Sequence, residues 1–229
     1  MKQTIAERLK SALESIAQYS KNSPNAHQNI TLLAVSKTKP ISDILAAYQA
    51  GQREFGENYV QEGVEKIQQL THLSGIQWHM IGPLQSNKCK PVASHFDWVQ
   101  SVDREKIARR LNDNRPEHLA PLNVCLQINI NEEDSKSGIK LQELFTLAEF
   151  VATSPRLMLR GIMAIPAKTE DVEQLNDTFQ QLHDCFLQLQ SRYPSVDTLS
   201  MGMSNDMQYA IANGSTMVRL GTAIFGERT

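Results

Sequence analysis

Lys37 and Arg219 are the residues of this chain whose type and setting point to chemistry. Lys37 follows the apolar run ITLLAV and begins to turn the chain through SKTKP. Side chains alternate along a strand, so Leu33, Val35 and Lys37 share one side and Leu32, Ala34 and Ser36 the other. If the first set faces an interior, the Lys37 amine is partly desolvated at its rim. Its pKa then falls, and the free base becomes a nucleophile for a carbonyl compound. The plainer reading is a solvated lysine at a loop start, and Lys39, next to Pro40, is read that way. Arg219 lies inside STMVRLGTAIFG, on one face with Met217 and Gly221. A buried guanidinium is costly unless it meets an acceptor or an anion, so an ion pair with a neighbouring strand is the competing reading. Gly221 and Thr222 follow directly and let a ligand approach backbone N–H groups. The segment SMGMSND contributes Met201 and Ser204 to the same candidate site, with Ser204 or Asn205 expected to cap a short helix.

Further polar residues stand where strands are expected to end. Asn58 closes REFGEN, and His79 in IQWHMIG shares a face with Gln77. A single histidine is more commonly a hydrogen-bonded core residue than a catalyst. Asn129 and Asn131 are expected at the end of the fifth strand, followed by EEDSKSG, read as a mobile, solvated loop. Metal chemistry is poorly supported. His27, His72, His79, His95, His118 and His183 form no HExxH pair, and Cys89, Cys125 and Cys185 no CxxC spacing. There is no GxSxG elbow and no Walker loop.

The elements that must carry these residues follow from hydrophobic period. Ile5, Leu9, Ala12, Leu13 and Ile16 recur at helical spacing and open the chain with an amphipathic helix, broken by Asn22, Ser23, Pro24 and Asn25. Strands are predicted at 30–35, 54–58, 76–81, 97–102, 122–130, 157–164, 197–201 and 216–220. Helices are predicted from Ile41 to near Gly51 and at 59–70, 86–94, 104–114, 140–153, 171–190 and 205–212. The apolar stripe of the 171–190 stretch is too short for a coiled-coil seam and reads as a core face. Strict alternation implies a parallel sheet with right-handed crossovers. Eight such units suggest a closed (β/α)8 TIM barrel with an extra N-terminal helix, a fold that takes about 250 residues. An open doubly wound sheet would want a Gly-rich turn after the first strand, and AVSKTKP has none. The chain is expected to be a single barrel domain over residues 1–229.

Composition removes other classes. Lys plus Arg number 23 against 25 Asp plus Glu, a net charge of -2, which argues against a nucleic-acid binder. Hydrophobic residues at 41% exclude wholesale disorder. No run approaches the roughly 20 apolar residues of a membrane span, and the N-terminus lacks a secretory h-region. Three cysteines cannot all pair, which fits a reduced cytoplasm. In a barrel of this kind, chemistry sits at the C-terminal strand ends, with phosphate taken by the loops after strands seven and eight. A lysine amine, an inward arginine and a phosphate cup at that end point to pyridoxal 5'-phosphate (PLP), which brings an aldehyde, a phosphate and a ring nitrogen.

AVSKTKP, FGENYVQE, WHMIGPLQSNK, SKSG, RGIMAIP and GMSNDMQYAIANGSTMVRLGTAIFG together resemble the YggS/PROSC family, the PLP homeostasis proteins, from about Ile30 to Arg228. The resemblance implies a fold type III PLP barrel, similar to the N-terminal domain of bacterial alanine racemase. It implies that Lys37 carries PLP as a Schiff base. It places Ser204, Gly221 and Thr222 at the phosphate and Arg219 at the ring nitrogen. Asn58 and His79 lie in motifs that line the pocket. The chain ends at GERT, without the short tail that many members carry.

Racemisation needs a proton acceptor on one face of the substrate and a donor on the other. The racemases resembled here take the second group, a tyrosine, from a further domain, for which eight βα units leave no residues. Of Tyr19, Tyr48, Tyr59, Tyr193 and Tyr209, only Tyr59 is expected after a strand end. An arginine at the ring nitrogen also leaves the ring a weaker electron sink. The expected function is therefore non-catalytic: reversible PLP binding, buffering or delivery in vitamin B6 homeostasis. PLP-dependent apo-enzymes are candidate recipients, and a monomer is favoured. The alternatives are a weak PLP-dependent amino-acid racemase and a PLP-responsive regulator of a partner protein.

Overall fold

A computed structural model describes residues 3–21, 23, 29–133 and 137–227. Of the break expected after the first helix, Asn22, Pro24 and Asn25 lie outside the described residues, as do 134–136 of the loop after the fifth strand. Eight parallel strands close on themselves in sequence order: β1 (Thr31–Val35), β2 (Glu54–Glu57), β3 (Gln77–Met80), β4 (Trp98–Val102), β5 (Leu122–Ile128), β6 (Leu157–Ala164), β7 (Thr198–Ser200) and β8 (Met217–Leu220). The barrel shuts where Leu32, Leu33 and Ala34 of β1 pair with Val218, Arg219 and Leu220 of β8. The fold expected from strict alternation is present, including the N-terminal helix.

Helix α1 (Ile5–Ser20) begins at a reciprocal cap. Thr4 Oγ1 accepts from the Glu7 N–H, and Glu7 Oε2 accepts from the Thr4 N–H. Its buried Leu9, Ala12 and Ile16 pack toward α2 (Ile41–Gln49), α8 (Met207–Ala212) and α9 (Thr222–Phe225), flanking the β1–β8 seam. The other crossovers carry α3 (Val60–Gln69), α4 (Cys89–His95), α5 (Glu105–Asn114), α6 (Leu144–Ala152) and α7 (Val172–Arg192). Helix α7 buries Leu175, Phe179, Leu182, Phe186 and Leu189, the core face expected of its stripe, whereas Val172 is exposed. Helix α9 was not expected, because TAIF is too short to show a period.

The apolar core lies between barrel and helices. Leu32, Ala34, Phe55, Trp78, Met80, Val99, Leu199, Val218 and Leu220 all face that shell. By alternation, Leu33, His79, Gln100, Ser200 and Arg219 point to the barrel axis, as the parity of the sequence requires. Inside, Trp98, Cys125 and Met163 form a small apolar cluster, with Leu33 and Met217 also buried. Barrel interiors are ordinarily filled by bulky branched side chains. This one buries His79, Gln100, Ser200 and Arg219, each at most 4% exposed.

Candidate functional site

The C-terminal ends of the strands open into a cavity of about 830 Å³. Val35 and Lys37 reach it from the end of β1, Asn58 from β2 and Ile81 from β3. Ile165 and Lys168 follow β6, and Met203, Ser204, Asn205 and Asp206 come from the loop between β7 and α8. Arg219 enters from β8, and Gly221, Thr222 and Ala223 form the start of α9.

Lys37 is half-buried, and the backbone on either side of it is held. The Ser36 hydroxyl donates to Glu57 Oε1 at 2.6 Å, and Lys66 Nζ donates to the Ser36 carbonyl at 2.7 Å. The Thr38 N–H donates to Glu62 Oε1 at 2.6 Å. Lys66 joins the two carboxylates, at 2.8 Å from Glu57 and 2.6 Å from Glu62. Its side chain is 7% exposed and that of Glu57 fully buried. Burial pushes the Glu57 carboxyl above its ordinary range, and the Lys66 charge pulls it back. Thr38 has a φ of 61°, the left-handed region that a β-branched residue rarely occupies, so backbone strain sits next to Lys37. Lys39, expected as an ordinary loop charge, instead donates to the carbonyls of Gly226 and Glu227 and ties this loop to the end of α9.

Arg219 is buried without an ion-pair partner among the described residues. Nη1 donates to the Ser200 carbonyl and hydroxyl, both at 2.7 Å, and Nη2 to the Ala164 carbonyl at 2.8 Å. The ion pair considered from sequence is replaced by neutral acceptors on β7 and the end of β6. Burial pulls its pKa down to about 10, so it remains cationic at neutral pH. Asn58 Oδ1 is buried with no hydrogen-bond partner. The adjoining strand end packs closely: a Cβ on Gly82 would stand 2.1 Å from the Asn58 carbonyl oxygen.

Of the residues singled out in the sequence, Lys37, Asn58, Ser204, Arg219, Gly221 and Thr222 converge on this cavity. Met201 and His79 do not line it. Met201 is buried in the shell, and His79 lies within the barrel, stacked on Trp98 with ring centroids 5.0 Å apart. Asn129 and Asn131 brace loops instead. Asn129 exchanges hydrogen bonds with the Glu133 backbone, and Asn131 Oδ1 accepts from the Ala167 N–H. The N-cap of α8 is Asp206, not Ser204 or Asn205, and its Oδ1 accepts from the Met203 N–H. Ile81 was missed, although it stands two residues beyond His79 and so shares its face. Lys168 carried no sequence signal, and Asp206, although within SMGMSND, was not singled out. No tyrosine is among the lining residues; Tyr209 lines an adjacent cavity that shares Lys168, Met203, Asn205 and Asp206 with this one.

A half-buried amine, a buried inward cation and the first turn of α9 line one barrel mouth. Residues 11–229 match the family model "Alanine racemase, N-terminal domain", so fold and site define a barrel of that class. The pyridoxal phosphate homeostasis protein of Escherichia coli K12 is 56% identical over 226 residues, 98% of this chain and 97% of that protein. Its counterpart in Pasteurella multocida is 54% identical over 228 residues, 98% of each chain. The PipY protein of Synechococcus elongatus, solved with PLP bound, superposes with a TM-score of 0.83 at 36% identity, covering 97% of this chain and 100% of that one. The chain belongs to the family of the pyridoxal phosphate homeostasis proteins. The alanine racemase of Corynebacterium glutamicum shares the fold at 15% identity and a TM-score of 0.70, with this chain spanning 62% of its length.

Proposed function

We propose that this chain binds PLP reversibly at the C-terminal mouth of the barrel and buffers or delivers it, with little or no turnover of its own. The observation that carries this reading is the convergence of the Lys37 amine and the Arg219 guanidinium on one cavity. Its volume of about 830 Å³ lies within the usual range for cofactor pockets. The unpartnered Asn58 Oδ1 is an acceptor awaiting a donor, which fits a polar ring better than an apolar ligand. Bound there, PLP supplies an aldehyde that condenses with an amine and a pyridine ring that withdraws electrons.

Lys37 is the amine, held toward the cavity by the ties on Ser36 and Thr38. Ser204 and the backbone N–H groups of Gly221 and Thr222 take the phosphate, with Lys168 adding positive charge. Arg219 faces the ring nitrogen. A guanidinium has no lone pair to share, so it keeps that nitrogen unprotonated and the ring a weak electron sink. The weak racemase is the second reading, favoured by Lys168 and Asp206, titratable groups on the same cavity as Lys37. The chain acts as a single barrel domain in the cytoplasm, and PLP-dependent apo-enzymes are the recipients.

The test mixes PLP-loaded protein with an apo-enzyme and a trap for free PLP. The proposal expects the apo-enzyme to be reactivated despite the trap and alanine to keep its configuration. Stereoinversion by clean protein, abolished in Lys37→Ala, would replace this reading with the racemase.

A further inference from the structure

We infer that Gln100 and His79 are positioning residues for Arg219, joining its guanidinium through the Ser200 hydroxyl to the Glu54 carboxylate at the opposite mouth of the barrel. This deepens the proposed function and rests on Arg219 facing the bound cofactor.

The links form an unbroken series. Arg219 Nη1 donates to Ser200 Oγ at 2.7 Å. Ser200 Oγ lies 2.6 Å from Gln100 Oε1, and Gln100 Nε2 lies 2.9 Å from His79 Nδ1. His79 Nε2 lies 2.7 Å from Glu54 Oε2. Glu54 opens β2, and with Thr31, Trp98 and Thr198, the first residues of β1, β4 and β7, it borders a cavity at the N-terminal mouth. Its side chain is 29% exposed, whereas His79, Gln100 and Ser200 are fully buried.

The direction of each hydrogen bond follows from the first. A hydroxyl that accepts from a guanidinium has its own proton to give, and Gln100 Oε1 is where it goes. That fixes the amide, so Nε2 donates to His79 Nδ1, with Met217 Sδ also within 3.1 Å of it. Nδ1 must then be the bare nitrogen, and the ring proton sits on Nε2, facing the carboxylate. Every donor points from Arg219 toward Glu54. The series begins at a cation with no ion-pair partner among the described residues and ends at the Glu54 carboxylate. In a low-dielectric interior such bonds polarise one another, so breaking a middle link is felt at the ends. His79 and Gln100 thus hold Ser200 as an acceptor, and Ser200 holds the guanidinium fork in place below the cavity.

Nitrogen NMR of histidine-labelled, ligand-free protein reads the tautomer directly. We expect Nε2 of His79 protonated and Nδ1 bare at neutral pH; a proton on Nδ1 with Nε2 bare would overturn the inference. Gln100→Met removes the amide at similar volume. It should unfold cooperatively, retain PLP about tenfold less tightly and shift the absorption band of the bound cofactor. Gln100→Glu restores an acceptor for Ser200, should recover PLP retention, and should place protons on both nitrogens of the His79 ring. A folded Gln100→Met protein with wild-type retention and band would also overturn the inference. If that variant fails to fold, the wild-type tautomer and Gln100→Glu decide. Absence of PLP binding by the wild-type protein would sink the reading of the cavity, while the ligand-free tautomer would still stand or fall separately.

Discussion

The Lys66 ammonium donates to the Ser36 carbonyl at 2.7 Å, so a residue of α3 holds the strand end that presents Lys37. The same ammonium neutralises the fully buried Glu57, so presentation of the amine depends on a buried ion pair. Such pairs add little net stability against an apolar substitute, yet removing one partner strands the other charge.

Lys66→Met should therefore destabilise the protein by about 3 kcal/mol, read by urea unfolding, and weaken PLP retention. The pH dependence has a definite sign. Burial raises the Glu57 pKa above its unfolded value, so the folded state binds that proton more readily. Its contribution is full below the ordinary carboxylate range and is lost as pH rises through the folded pKa. Without Lys66 to pull it back, the loss grows, so Lys66→Met should harm the protein least in acid and most above neutrality. Equal loss at both ends of that range would contradict this account.

Gly82→Ala puts a methyl group 2.1 Å from the Asn58 carbonyl oxygen, a backbone atom that cannot swing aside. The end of β2 must shift, at a cost of about 1–3 kcal/mol. Asn58 moves with it, and a PLP titration should show weaker binding than the loss of stability alone explains.

Arg219→Lys keeps a charge but loses the fork. One ammonium cannot reach the Ser200 and Ala164 acceptors with the same geometry, which leaves a buried carbonyl unsatisfied at a cost of about 2 kcal/mol. Denaturant unfolding should show that loss, and the absorption band of bound PLP should move.

The thiols should behave inertly. Burial pushes Cys89 up to about 11 and raises Cys125 as well, while half-buried Cys185 is the more accessible. Alkylation of folded protein should therefore begin at Cys185. Cys89 stabilises the fold below its ordinary pKa of 9.0, and that contribution is lost as pH climbs through about 11. Cys89→Ala should flatten the alkaline decline in thermal stability.

Much of this architecture is legible in the residues. The returning alternation of strand and helix patterns set the eight strands, and parity along AVSK and MVRL set Lys37 and Arg219 toward the barrel interior. The registers between strands are not written in those runs. Glu54, His79, Gln100, Ser200 and Arg219 lie on five strands, and only closure of the barrel brings them into one series. His79 was expected among the cofactor contacts because its motif is, yet its side chain points below the cavity. Lys66, Glu62 and Glu57 drew no reading from the sequence, where Glu62 and Lys66 offer only the i,i+4 spacing of a helix pair. Their meeting beneath Lys37 depends on how α3 docks, which local spacing does not specify.

The central claim is that Lys37 is the amine that takes PLP. Loading the protein with PLP, reducing it with borohydride and mapping its peptides by mass tests that claim most directly. The account expects a phosphopyridoxyl group on the peptide carrying Lys37, absent from Lys37→Ala. A label on Lys168 or another lysine, with the Lys37 peptide unmodified, would contradict it.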